Sequence, residues 1–131
     1  MRLPPYQSSK PGPVLELPSL PSHWVAVQLR RLISVQSGDI LPASEETDDG
    51  FPIVGGNGIR GYTHSANSPA DSLVIGRVGA HCGNVHHIST DFWATEHAFR
   101  VRARRAGDTR YLYWALTSLD LNRFAIRTAQ P

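Results

Sequence analysis

Apolar residues in this chain recur in short runs broken by glycine and proline, a spacing that predicts strands rather than long helices. Ser72-Leu73-Val74-Ile75-Gly76-Arg77 is the clearest buried strand. Ahead of it, Phe51–Val54 and Ile59–Thr63 flank Gly55-Gly56-Asn57-Gly58, whose Asn-Gly pair predicts a tight reversal. Val35–Leu41 reads as a strand carrying Gly38, and Leu29–Ile33 as one helical turn. After a second glycine-marked reversal at Gly79 and Gly83 comes Asn84–Ile88. Strict alternation over Ala98–Arg104 places Phe99, Val101 and Ala103 on one strand face and Arg100, Arg102 and Arg104 on the other. Helical periodicity appears once, over Tyr111–Leu121, with Leu112, Ala115, Leu116 and Leu119 on one face and Asp108 or Thr109 as the cap. Phe124–Arg127 reads as a last strand.

The length of 131 residues suits one compact domain. Six prolines within residues 1–22 predict an extended, flexible lead-in, leaving 23–131 as the single domain. No apolar run approaches the roughly 18–20 residues that cross a membrane, and the start lacks the apolar stretch of a secretory signal. With Cys82 the sole cysteine, no internal disulfide forms, and a cytoplasmic location is expected. The chain stops at Thr128–Pro131 without a terminating feature and reads as cut short.

Charge is unevenly spread. Residues 1–96 hold six basic against nine acidic side chains; residues 97–131 hold seven arginines against two aspartates. Twelve of the thirteen basic residues are arginine, whose planar fork matches phosphates and guanine edges. Three guanidinium groups on one face of the Ala98–Arg104 strand repel one another unless water or phosphates separate them, so the face is either solvated or set against a polyanion.

Other chemistries find little support. Gly56-Asn57-Gly58-Ile59-Arg60-Gly61 spells a G-x-G-x-x-G string, but a dinucleotide site needs a helix after it, and Tyr62–Pro69 does not predict one. A hairpin turn is the plainer reading; it is either purely structural or a carrier of Asn57, Arg60 and Tyr62 into a groove of DNA. His81, Cys82, His86 and His87 raise the question of zinc, yet a lone cysteine with clustered histidines matches no structural zinc spacing. A small buried thiol with surface or phosphate-contacting histidines fits better. There is no G-x-S-x-G elbow, and the only lysine, Lys10, lies far from the paired acids Glu45-Glu46 and Asp48-Asp49.

Taken in order, several segments resemble one family. A Leu-Pro pair ahead of Trp24, then Gly38, then Pro52–Tyr62, is followed by Ile75–Val85 and Phe92-Trp93-Ala94-Thr95-Glu96-His97-Ala98. The helix at Tyr111–Leu116 and the Thr128–Pro131 ending complete the set, so the likeness runs over residues 17–131. This series resembles the target-recognition domain of the specificity subunit in type I restriction-modification systems. The resemblance implies a non-catalytic protein that binds double-stranded DNA and carries no cofactor itself. It further implies modification (methyltransferase) subunits using S-adenosylmethionine as partners, and a restriction subunit using ATP and magnesium. Only one recognition domain is matched, without the long spacer helix or second half that such subunits carry.

The fold expected is of the α/β class, in its α+β form: a curved, mainly antiparallel β-sheet with one principal helix near the C-terminus. Asn57, Arg60, Tyr62, His64 and Arg77 are the candidates for reading bases, and Arg100 and Arg102 for holding phosphates. The alternative from another class is an interaction fragment that docks on modification subunits without touching DNA.

Overall fold

Ten strands and one α-helix emerge in a computed structural model that describes residues 8–14 and 17–125. The chain divides into two compact units, 1–31 and 32–131.

In the first unit, β1 (Ser9–Val14) and β2 (Leu17–Pro21) pair antiparallel, with Lys10 opposite Leu20 and Pro11 opposite Ser19. Proline cannot donate to a ladder, but a two-stranded hairpin has open outer edges where a missing N–H costs nothing. The described residues of the proline-rich stretch are extended and paired. Trp24–Gln28 has no regular structure, and Leu29–Arg31 makes a single 3-10 turn.

The second unit contains β3 (Ile33–Ser37), β4 (Glu46–Thr47), β5 (Phe51–Gly55), β6 (Gly58–Thr63), β7 (Ser72–Gly76), β8 (Val85–Ile88), β9 (Trp93–Ala94), β10 (Ala98–Ala103) and α1 (Thr109–Ser118). The strands form two four-stranded sheets, ordered β3-β10-β7-β8 and β4-β6-β5-β9. Every pairing is antiparallel except β5 with β9, which sets Ile53 beside Trp93 and Val54 beside Ala94. The expected fold class holds: mainly antiparallel sheet and one helix.

The first sheet is covered on both faces. Leu73, Val101 and Ile33 pack against Leu112 and Leu116 of α1. On the opposite face Val74 and Ala98 meet Val54, Ala94 and Phe92, which is fully buried. Burial on both sides explains why β7 reads as an unbroken apolar run. Burying one side chain such as Phe92 or Leu116 contributes about 1.5–3 kcal/mol, so these two clusters dominate the unit's stability.

Three boundaries depart from the sequence reading. The strand placed at Val35–Leu41 runs instead over Ile33–Ser37, because Gly38 N–H and Asp39 N–H donate to Ala98 and Ala94, turning the chain across other strands. The helix ends at Ser118, so Leu119 sits outside it and is exposed rather than core-facing. Of the strand expected at Phe124–Arg127, Phe124 closes a 3-10 turn (Leu121–Phe124) and Ala125 is irregular; residues 126–127, with the Thr128–Pro131 motif, lie outside the described residues. Among the described residues, no helix is long and apolar enough to cross a membrane.

Candidate nucleic-acid interface

Two glycine turns face each other across an open cleft of about 630 Å³. One wall is the β5–β6 hairpin, Gly55–Gly58, and the other is the segment Val78–His81 after β7. Thr95, Glu96 and His97, between β9 and β10, line the base. The hairpin turns at Gly56 and Asn57, neither of them left-handed, and Gly58 then takes φ 98°. That positive φ suits glycine and gives the extra twist of a bulged reversal. Gly76 is set by packing: a Cβ there would collide with the His81 carbonyl oxygen and stand 3.2 Å from Gly56 Cα. Its lack of a side chain is what lets the two turns come together.

Arg60 is the extra residue of a bulge, since β5–β6 pairing passes from Ile53–Gly61 to Val54–Ile59. Bulges re-aim side chains, and Arg60 lines the cleft with Asn57. Its Nη1 donates to Glu46 Oε1 at 2.7 Å. Both partners are more than a third exposed, so this pair contributes little to stability, about 0–1 kcal/mol. Arg77 precedes the Val78–His81 wall and is not itself part of the cleft lining. Its guanidinium carbon lies 5.5 Å from the Phe99 ring centroid, and Nη1 donates to Ser37 Oγ at 3.2 Å and to the Glu96 carbonyl at 3.5 Å. Stacking on Phe99 holds the group in place while leaving it exposed.

The other sequence candidates fall elsewhere. Tyr62 is exposed on β6 opposite Thr47 and Pro52, beyond the cleft lining. His64 follows that strand, with Nε2 2.9 Å from Asp49 Oδ1. Arg100 and Arg102 share a separate, smaller groove with Ser34 and Gln36. Arg102 is exposed there, whereas Arg100 is only 22% exposed and turned inward. The structure thus gathers Asn57 and Arg60 at one cleft, sets Arg77 beside one of its walls, and leaves Tyr62, His64, Arg100 and Arg102 outside it.

The histidines and the thiol are placed individually. His86 Nε2 donates to the Gly56 carbonyl at 3.2 Å, tying β8 to the hairpin turn. His87 Nε2 lies 2.8 Å from Asp71 Oδ1, and Cys82 Sγ donates to the Arg77 carbonyl at 3.3 Å. His86 and His87 point to different neighbours, as adjacent strand residues must.

Sequence reasoning missed two features. Asn67 is a polar hub: its side chain bonds Asp39 and both backbone groups of Ala94, and its carbonyl accepts from Arg100. Nothing in a loop sequence marks one asparagine over another, so no signal pointed to it. Thr95 is 3% exposed, and its Oγ1 has no hydrogen-bond partner among the described residues. The Trp93–Thr95 element was noticed, but the alternation of short strands does not reveal which side chain will be left unpaired.

No family model matches the chain. Over 97 residues it is 42% identical to the type I restriction enzyme EcoprrI specificity subunit of Escherichia coli, an alignment covering 74% of this chain. The chain is a relative of type I restriction specificity subunits. It spans 24% of that curated relative's length, about a quarter. Solved specificity subunits share the fold. The type I restriction-modification S subunit from M. genitalium superposes with a TM-score of 0.68 at 21% identity, over 73% of this chain and 26% of that one. The HsdS subunit from Thermoanaerobacter tengcongensis gives 0.63 at 15% identity, over 85% and 31%.

Proposed function

We propose that the chain is a DNA target-reading domain of a type I specificity subunit, directing partner modification and restriction subunits to their sites without chemistry of its own. The observation that carries this reading is the 42% identity to the EcoprrI specificity subunit, which extends over most of the chain. The geometry supports it. Asn57 and Arg60 are donors of the kind that read base edges, and they line one open cleft, with Arg77 bonded to the carbonyl of Glu96, which lines it too. Exposed Arg102 and Arg105 supply charge for phosphates, which positions a protein without reading sequence. In this proposal the chain holds no cofactor; S-adenosylmethionine, ATP and magnesium belong to the partners. A cytoplasmic location follows from that assembly.

Selection from a pool of random-sequence duplexes tests the reading. A DNA reader enriches a consensus, and its affinity falls steeply with salt as phosphate counterions are released. An interaction fragment that never touches DNA enriches nothing, yet still captures a modification subunit in a salt-insensitive way. That pair of results would overturn the proposal.

A further inference from the structure

The cleft between the two glycine turns carries charges of both signs. Arg60 lines it from the hairpin, and Glu96 lines it from the segment joining β9 to β10. The Glu96 side chain is 40% exposed, with His97 Nε2 3.6 Å away. A second carboxylate, Glu46, already holds Arg60 at 2.7 Å. With Glu46 paired to Arg60 and Glu96 lining the same cleft, a phosphate there would meet like charge, so the cleft is a poor seat for one. A base edge is different, since it presents donors and acceptors side by side.

We infer that Glu96 is a specificity-determining residue and that this cleft reads a C·G base pair in the major groove. The inference rests on the DNA-reading function proposed above. Cytosine offers its exocyclic N4 amino group as a donor, which a carboxylate accepts, and guanine offers O6 and N7 as acceptors, which a guanidinium fork matches. Glu96 takes the cytosine and Arg60 the guanine, so the mixed charge of the cleft corresponds to the mixed polarity of one pair. The anchoring is firm on both sides: Thr95 N–H donates to the Val54 carbonyl at 3.0 Å, and His86 holds Gly56. The two reading groups therefore sit on backbone whose spacing is set by hydrogen bonds rather than by loop motion.

The test uses the full chain and a random-sequence duplex pool, with the wild type, Glu96→Gln, Glu96→Ala and Arg102→Ala compared by circular dichroism to show equal folding. The wild type is expected to select C·G at one position of its consensus. Glu96→Gln should turn that position toward adenine, whose N6 and N7 match an amide, and Glu96→Ala should lose discrimination there by roughly tenfold or more. Arg102→Ala should keep the consensus and weaken every duplex alike. An unchanged consensus in Glu96→Gln, or a uniform rise or fall of affinity over all duplexes, overturns the assignment of Glu96 while leaving DNA reading intact. A wild type that selects no consensus removes both.

Discussion

Arg100 donates from Nη1 to the carbonyl of Asn67 at 2.6 Å and stands 3.7 Å from Asp39 Oδ2. The bond joins β10 to the loop between β6 and β7. Asn67 in turn grips Ala94 on β9, and Trp93 Nε1 donates to the Asp39 carbonyl. One guanidinium thus ends a chain of polar contacts tying the two sheets to the turn after β3. Its Nε is buried without a partner among the described residues, so the group is held at some desolvation cost.

Removing that side chain leaves the Asn67 carbonyl unsatisfied. Arg100→Ala is expected to destabilise the fold by about 1–3 kcal/mol, the range for losing a hydrogen bond to a charged group in a partly buried setting. Chemical denaturation measures it. If Arg100 is instead a phosphate contact, stability will stay unchanged and the salt dependence of DNA binding will weaken.

Alternation was a sound guide to β10 but not to its surroundings. Arg100 does lie on the face opposite Val101, as period-2 geometry requires; the loop carrying Asn67 covers that face, and no local pattern announces a distant loop. Burial at β7 was legible because both of its faces are apolar. The ends of β3 and α1 were not, since Gly38 and Asp39 bond strands some sixty residues later and Leu119 falls just past the last helical turn. At the cleft, the glycines and Arg60 were visible as a turn with a donor. Glu96 was not singled out, because its place in the same cleft as Arg60 depends on how β9 and β10 fold back.

Leu116 is 1% exposed, at the centre of the cluster between α1 and the first sheet. Leu116→Ala should cost about 2–5 kcal/mol, combining lost transfer energy with the cavity left behind. Thermal or urea unfolding will show it. The exposed residue on the same helix, Trp114, serves as the control, and Trp114→Ala should change stability by about 0.5 kcal/mol or less.

Gly76→Ala probes the approach of the two turns. The added methyl meets the backbone of His81 and Gly56, neither of which can rotate away as a side chain does. A loss of about 1–3 kcal/mol is expected, with weaker sequence discrimination as the cleft walls separate. Stability equal to the wild type would show that the close contact is dispensable.

The Arg60–Glu46 pair bears on how strongly the cleft holds DNA. In the free protein the carboxylate occupies the fork that a guanine edge would use, so binding must first break a 2.7 Å contact. An exposed pair of this kind contributes about 0–1 kcal/mol, which sets a ceiling of roughly fivefold on what its release can add to affinity. Glu46→Gln should therefore tighten binding to the preferred duplex by up to that factor and leave folding unaffected. Part of the gain comes simply from removing a negative charge near the phosphates, and that part acts on every sequence. Measuring preferred and scrambled duplexes side by side separates the two: a larger gain on the preferred site shows that Arg60 has been freed to read, whereas equal gains show only a change in field.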